Sequence, residues 1–313
     1  MNSSGIWYFD AHADSLSMSS FLKKDIREND MQVDLLRAKE FSRYAQFFSV
    51  FDNGKGSSDI SGSYDRILSH IRSQLEKNSD LVIQCRNARE VENAGAASLC
   101  AAILSVEGAE LLACSEERLE SAYKDGVRAV NLTWNHDNAL AGSCATGTRR
   151  GLTPEGRSFV KKAQELGILV DMSHASAETF WDTAEISSGP IIASHSNSAA
   201  VFEHKRGLDD DQFSFIVKCG GFVGINLYQD FIGGPDMSDL VKHIEHFMSL
   251  GGEKTVALGG DLDGADRLAG GIKGIQDIHL LYEELLRLGY SEGVVKDIFY
   301  NNIMRVVDKV CGI

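Results

Sequence analysis

The chain has 313 residues, 43% hydrophobic and 24% charged, a composition typical of a globular protein with a substantial core and incompatible with disorder or a disulfide scaffold. Its 45 acidic and 31 basic residues give a formal charge of −14, which disfavours nucleic-acid binding and docking on anionic membranes. No signal-peptide pattern, membrane-spanning run or CxxC pair is visible among its residues. We therefore expect a cytoplasmic protein that makes no membrane contact and keeps its six cysteines reduced.

We expect one domain over residues 1–313, because none of the three prolines marks a linker. Short apolar runs alternate with longer stretches of helical periodicity. The eight candidate strands are residues 6–10, 45–51, 102–107, 129–133, 169–173, 191–194, 222–226 and 257–261. Most runs are continuously apolar, which is typical of parallel strands buried on both faces. Eight such strands with helical connections predict a (β/α)8 TIM barrel, and a doubly wound open sheet is the alternative.

The clearest helix signal is Thr153 followed by Pro154, an N-cap with proline at the first helical position. A second helix is predicted over residues 277–288. His243 and His246 have a spacing that can bind a metal, but we predict that they lie on a surface helix and assign them no role.

Several predicted strands stop at an imidazole or a carboxylate, where a barrel carries its functional groups. Taken singly, each such residue is more often a cap or a structural histidine, but their coincidence at distant strand ends favours a metal site. The candidate metal ligands are His12, Asp14, Glu107, His174 and His195. This set of three imidazoles and two carboxylates suits borderline cations such as zinc.

Five ligands exceed what one tetrahedral zinc ion uses, so the sequence predicts two Zn²⁺ or other divalent ions that share a carboxylate. Such a pair would hold a bridging hydroxide and polarise a carbonyl. Asp261, which ends the last strand, is the candidate for protonating the leaving amine. For Asp263 we favour the role of a turn carboxylate.

Two further residues stand near the same end of the predicted barrel. Arg206 either holds a substrate carboxylate or belongs to a solvated basic loop. His136 either orients an oxyanion or is an ordinary loop histidine. No dinucleotide-binding GxGxxG motif and no Walker A motif are present in the sequence.

These motifs together resemble the membrane (renal-type) dipeptidases and their soluble bacterial relatives, zinc peptidases of the amidohydrolase superfamily. The matching segments are DAHAD at 10–14, VEG at 106–108, GVR at 126–128, NLTWN at 131–135, GLTPEG at 151–156, LVDMSH at 169–174, SHS at 194–196, GDLDG at 260–264 and NNIMRV at 301–306. They cover nearly the whole chain in the order that the family keeps.

The resemblance implies a role for each matching position. His12 and Asp14 would bind the first zinc, Glu107 would bridge both ions, and His174 and His195 would bind the second. Arg206 would hold the substrate's C-terminal carboxylate, and Asp261 would handle the proton and the substrate's amino end. Mammalian members carry a histidine at the position of Trp134, which is a departure here. Trp134 is therefore a candidate substrate-binding residue, and His136 is the candidate oxyanion donor.

The leading hypothesis is a dinuclear zinc dipeptidase that hydrolyses L-L dipeptides, and L-D dipeptides as relatives do, through a metal-bridging hydroxide. One alternative is a hydrolase of another amide, a lactone or an ester on the same scaffold. The other is a catalytically inactive, metal-bound dipeptide-binding protein. The expected partner is a small dipeptide, and a homodimer is the commonest assembly for enzymes of this kind.

Overall fold

Nine parallel strands run through the part of the chain that the computed structural model describes, residues 3, 5–52 and 60–312. The strands are β1 (Trp7–Ala13), β2 (Arg43–Val50), β3 (Val82–Gln84), β4 (Cys100–Val106), β5 (Val127–Asn131), β6 (Leu169–Asp171), β7 (Ile191–Ile192), β8 (Val223–Ile225) and β9 (Val256–Leu258). Eight of them pair in the order β7-β6-β5-β4-β2-β1-β9-β8. These eight correspond to the eight predicted strands.

The sheet closes between its two ends, β7 and β8. Just past β7, the Ala193 amide donates to the Phe222 carbonyl at 3.0 Å, and the Gly224 amide donates to the Ala193 carbonyl at 2.8 Å. These bonds make a nearly closed barrel, so the predicted (β/α)8 fold is confirmed and the open-sheet alternative is wrong. Strand β3 was not predicted and lies outside the barrel, paired with the first residues of β4.

Helices follow the strands around the outside of the barrel. They are α1 (Ser15–Leu22), α2 (Leu35–Ala38), α3 (Ile60–Lys77), α4 (Ala88–Ala96), α5 (Glu116–Asp125), α6 (Pro154–Glu165), α7 (Ala177–Ile186), α8 (Asp210–Cys219), α9 (Gln229–Ile232), α10 (Met237–Ser249), α11 (His279–Arg287), α12 (Glu292–Lys296) and α13 (Asn302–Cys311). Helix α6 begins as predicted, because the Thr153 hydroxyl accepts the Gly156 amide at 3.0 Å. None of the described helices combines the length and the apolar character needed to cross a bilayer.

The core has an inner and an outer part. Inside the barrel, Phe9, Phe47 and Phe222 belong to one apolar cluster with residues of α13, and Tyr300, just before α13, meets the Trp7 ring edge-on at the start of β1. The outer faces of the strands pack against the surrounding helices. Because the interior is filled with apolar side chains, functional polar groups are expected at or near the ends of the strands.

His243 on α10 is fully buried, so its predicted place on a helix surface is wrong. Its Nδ1 accepts the Ser198 amide at 3.1 Å, and its Nε2 lies 3.0 Å from the Ile232 carbonyl. A neutral imidazole can make both bonds at once, so His243 links α10 to the segment after β7 and to the last residue of α9. His246, by contrast, is partly exposed and bonds to Asp210.

Candidate metal centre

The first part of the site follows β1. His12 lies in the strand, whereas Asp14 lies just beyond it, at the residue that precedes α1. The two residues therefore do not lie side by side on one face of an extended strand. The turn nevertheless brings the Asp14 Oδ1 atom to 3.7 Å from His12 Nε2.

Glu107 follows β4 and lies at the middle of the site. Its Oε1 atom is 2.9 Å from His174 Nε2 and 3.4 Å from His195 Nε2. Its other oxygen, Oε2, is 3.5 Å from His12 Nε2. The Glu107 carboxylate thus directs one oxygen to His174 and His195 and the other to His12.

Asp261 joins the side that contains His12. Its Oδ1 atom is 3.9 Å from His12 Nε2, while its Oδ2 atom accepts the Asn226 side-chain amide at 3.0 Å. Two groups of three residues could each hold an ion, because the ligand atoms within each group lie within 4.8 Å of one another. One group is His12, Glu107 and His195, and the other is His12, Asp14 and Asp261. The structure brings the five predicted metal ligands and Asp261 together.

The donor atoms fit a divalent cation. His12 Nε2 and Asp14 Oδ1 are buried and have no hydrogen-bond partner among the described residues. Burying such polar atoms without a partner is costly, so they are expected to bind something that approaches them. Imidazole nitrogens and carboxylate oxygens are the ligands that zinc uses in proteins.

Burial and mutual repulsion dominate the electrostatics of the carboxylates. The pKa of Asp14 is raised well above its usual range by burial and by the Glu107 carboxylate. Burial likewise raises the pKa of Asp261. Burial alone would lower the pKa of His12, but the Glu107 and Asp14 carboxylates raise it to about 10. The surroundings of His12 therefore favour positive charge, which a bound cation would also supply.

The two imidazoles on the other side have the opposite character. Burial, with the neighbouring Arg206 cation, lowers the pKa of His174 to about 4, and burial lowers that of His195 well below its usual range. Both shifts favour the neutral imidazole, the form in which histidine binds metals. His174 Nδ1 lies 3.1 Å from Asn135 Oδ1, and His195 Nδ1 lies 2.7 Å from Ser194 Oγ. These bonds orient both rings so that Nε2 faces Glu107.

Sequence reasoning missed the supporting residues Asn135 and Asn226. Asn226 was a detectable candidate, because it ends a predicted strand in the way that Asp261 does. Asn135 gave no such signal, since its contact with His174 depends on how the loop after β5 folds over β6.

Three residues of the turns at this end have a left-handed backbone. Their φ values are +72° at His174, +56° at Asp261 and +66° at Asp263. Non-glycine residues seldom adopt this conformation. Asp263 lies in this turn, as predicted, but its carboxylate accepts the amides of Gln32 at 2.7 Å and Val33 at 3.2 Å, so it anchors the segment before α2.

Arg206 is buried at 6% exposure, which excludes the solvated-loop alternative. Its Nη2 donates to the His195 carbonyl at 3.1 Å, and its Nε has no hydrogen-bond partner among the described residues. Arg206 and His174 line a common cavity of about 230 Å³, whose other walls include the apolar side chains of Met172 and Phe180. A buried guanidinium beside a cavity is suited to bind an anionic group.

Trp134 and His136 lie in the loop after β5. The half-buried Trp134 ring meets the Phe51 ring edge-on, with centroids 5.0 Å apart. The His136 side chain is exposed, and its ring lies 5.8 Å from that of Trp134. The contact of Trp134 with substrate and the contact of His136 with the oxyanion stay predictions.

A (β/α)8 barrel with buried imidazoles and carboxylates at its strand ends defines the class of metal-dependent barrel hydrolases. The family model described as membrane dipeptidase (peptidase family M19) matches residues 4–312. The chain therefore belongs to the membrane dipeptidase family and is a metallo-dipeptidase, as its sequence motifs predicted.

Relatives in fungi carry the same kind of name. The chain is 31% identical over 244 residues to the dipeptidase verJ of Clonostachys rogersoniana, covering 77% of this chain and 63% of that protein. It is 30% identical over 303 residues to an uncharacterized dipeptidase of Schizosaccharomyces pombe, covering 88% of this chain and 71% of that protein.

Solved structures share the fold over nearly the whole chain. The dipeptidase AC, a metallo peptidase of family M19, superposes with a TM-score of 0.89 at 25% identity, covering 98% of this chain and 99% of that one. A metallo peptidase of Rhodobacter sphaeroides gives a TM-score of 0.88 at 23% identity, covering 97% and 99% of the two chains. Its crystal structure holds a phosphinate mimic of the dipeptide L-Ala-D-Ala.

Proposed function

We propose that the protein is a dinuclear zinc dipeptidase. His12 and Asp14 would hold one ion, His174 and His195 would hold the other, and Glu107 would bridge them. The observation that carries this proposal is the division of the Glu107 oxygens, one facing His174 and His195 and the other facing His12. A carboxylate that presents its two oxygens to separate ligand sets is what a two-metal site requires.

When bound, such a pair of ions supplies an activated water and polarises a carbonyl oxygen. The protein's own contribution to proton transfer would come from Asp261. Asn226 holds one of its oxygens, which leaves the other directed towards His12 and the centre. Because burial raises the pKa of Asp261, this carboxyl group retains a proton more readily than an exposed one. It is therefore suited to pass a proton to the leaving amine.

Arg206 would select substrates with a free C-terminal carboxylate. Its unpartnered Nε and the cavity that it shares with His174 place a cation next to the centre. The Arg206 cation would bind the C-terminal carboxylate of a short peptide, and acidic groups at the other side of the centre would bind its amino group. We include L-D dipeptides among the substrates, and the ligand bound to the Rhodobacter sphaeroides protein supports this extension.

We also propose a cytoplasmic location, because all six cysteines are free thiols, as expected in a reducing compartment. Cell fractionation with an antibody to the protein tests this location. The homodimer predicted above is tested separately by sedimentation of the purified protein.

The decisive experiment measures metal content and turnover together. Protein purified without chelator is analysed for metals, and hydrolysis of a panel of L-L and L-D dipeptides is measured before and after chelation. We expect about two equivalents of zinc, with activity lost on chelation and restored by zinc. Folded protein that takes up no zinc would exclude the dinuclear centre. Two bound metals without dipeptide hydrolysis would favour another amide, lactone or ester substrate, or a binding protein.

A further inference from the structure

Asp171, the last residue of β6, is buried, and its hydrogen bonds go to residues next to the proposed metal ligands. Its Oδ1 atom accepts the amide of Ser173 at 3.0 Å and the amide of Ser194 at 2.9 Å. Ser173 directly precedes His174, and Ser194 directly precedes His195. One carboxylate oxygen therefore ties together the two backbone segments that carry the imidazoles of one side.

A second connection runs through side chains. The Ser194 hydroxyl lies 2.7 Å from His195 Nδ1 and also bonds to the Asp171 carboxylate. In addition, the Ser173 hydroxyl accepts the His195 amide at 3.0 Å. Asp171 thus acts on His195 both through the backbone and through a serine that contacts the imidazole.

Asp10 repeats the backbone arrangement on the other side of the barrel. Its carboxylate accepts the amide of His12 at 2.9 Å and the amide of Gly260 at 3.0 Å. Gly260 directly precedes Asp261. The Tyr8 hydroxyl and the side-chain amide of Gln46 complete the four donors around this fully buried carboxylate.

We propose that Asp171 and Asp10 are positioning residues, each of which fixes the backbone of one half of the metal centre. The inference rests on the dinuclear centre proposed above. In both places, a carboxylate at one strand accepts a backbone amide from the chain that follows the adjacent strand. The donating residue, Ser194 or Gly260, directly precedes a residue of the site. Residues that orient metal ligands in this way typically contribute about 10- to 100-fold to metal affinity. Asp171 is expected to affect the ion held by His174 and His195, and Asp10 the ion held beside His12.

The test compares zinc affinity and stability in Asp171→Asn, Asp10→Asn and a matched control, Asp182→Asn. Asp182 on α7 also accepts a backbone amide, that of Leu152 at 2.8 Å, together with the Arg157 guanidinium at 2.9 Å. It has no contact with the metal ligands. Zinc dissociation constants for the two sites are measured by competition with a chromophoric chelator, and unfolding by urea is followed in parallel.

We expect Asp171→Asn to weaken one zinc site by about 10- to 100-fold and Asp10→Asn to weaken the other by a similar factor. Each variant should leave its second site within a few-fold of the wild-type value. A variant that lacks the Asp14 carboxylate identifies which site is which. The control should lose stability without a change at either site.

A milder variant, Ser194→Ala, serves if Asp171→Asn does not fold. It keeps the Ser194 backbone amide but removes the hydroxyl that contacts His195, and we expect roughly 10-fold weaker binding at that site alone. Variants that lose stability while both affinities stay at wild-type values would show a purely structural role and overturn the inference. Wild-type protein that binds no zinc would overturn the proposed centre itself, which is a different result.

Discussion

Asp261 and Asp263 are two carboxylates in one turn with different surroundings. Asp261 faces His12 and is held by Asn226 through one oxygen only. Asp263 points away and accepts two backbone amides of the segment before α2. Their residue type is the same, so only their contacts separate a candidate proton-transfer group from an anchor.

Asp261→Asn is expected to lower kcat by at least about 100-fold, because the amide cannot carry the proton to the leaving amine. Asparagine tolerates the left-handed backbone at this position, so the fold should be retained. Dipeptide kinetics and zinc content are measured together. The matched variant Asp263→Asn should instead lose about 1–3 kcal/mol of unfolding free energy, because its side-chain NH2 group cannot accept one of the two backbone amides that the carboxylate accepts. Equal kinetic losses in the two variants would contradict the assignment.

Arg206→Lys is expected to raise KM for free dipeptides by roughly 10-fold or more, because lysine lacks the planar fork that binds a carboxylate. The measurement compares each dipeptide with its C-terminal amide, which has no carboxylate to bind. Wild-type enzyme should prefer the free acid strongly, and the variant should lose most of that preference. Arg157→Lys, on the outer helix α6, is the control and should behave like wild type. An unchanged preference in the Arg206 variant would exclude the carboxylate role.

At the scale of elements, the junction between β7 and β8 both closes the barrel and carries His195, a proposed metal ligand. The Ser194 carbonyl oxygen lies where a Cβ atom would lie at Gly224, and it also occupies the corresponding space at Gly259. Only glycine at these two positions leaves room for that carbonyl. Since Ser194 precedes His195, the packing of this junction also sets the position of the imidazole.

Gly224→Ala should therefore destabilise the fold by about 1–3 kcal/mol and weaken zinc binding in the folded fraction. Its Cβ atom would lie 1.9 Å from the Ser194 oxygen, so that backbone must move. Gly189→Ala is the control, because no atom lies within 4 Å of its Cβ position. Urea unfolding and zinc titration measure the two effects. Zinc affinity equal to that of the wild type would show that His195 does not depend on this junction.

The sequence predicted the eight barrel strands because most of them are continuous apolar runs, several of which end at a polar residue. It missed β3, which has only three residues and a half-exposed Ile83, so no apolar run marks it. It also missed the roles of Asp10 and Asp171, although the motif at 10–14 and the fifth predicted strand contain them. Asp10 bonds to a segment 250 residues away and Asp171 to the segment after the next strand, and both pairs become visible only when the strand order and register are known.

For the whole molecule, the centre concentrates negative charge inside an already acidic protein. Asp14, Glu107 and Asp261 lie around His12 in a buried site, in a chain with a formal charge of −14. Their mutual repulsion opposes folding unless positive charge compensates it. Stability and metal loading should therefore be linked.

Chelation is expected to lower Tm, and zinc at a hundred times its dissociation constant should restore about 2.7 kcal/mol. With an unfolding entropy of about 0.66 kcal/mol/K for a chain of 313 residues, that corresponds to roughly 4 °C for one zinc site. Scanning calorimetry of protein with chelator and with added zinc measures the shift. The variant Glu107→Gln, which weakens the proposed bridge, is the control and should respond less. Identical Tm values with and without zinc would contradict the link.

The left-handed backbone at His174 and Asp261 has a consequence for protein design. A designer who grafts only the side chains of this centre onto an idealised barrel would place them on turns of ordinary right-handed or extended geometry. The imidazole and the carboxylate would then point elsewhere, even with every residue type copied. A successful transplant must carry the turns themselves, together with the aspartates that hold them, and so must treat backbone and side chains as one unit.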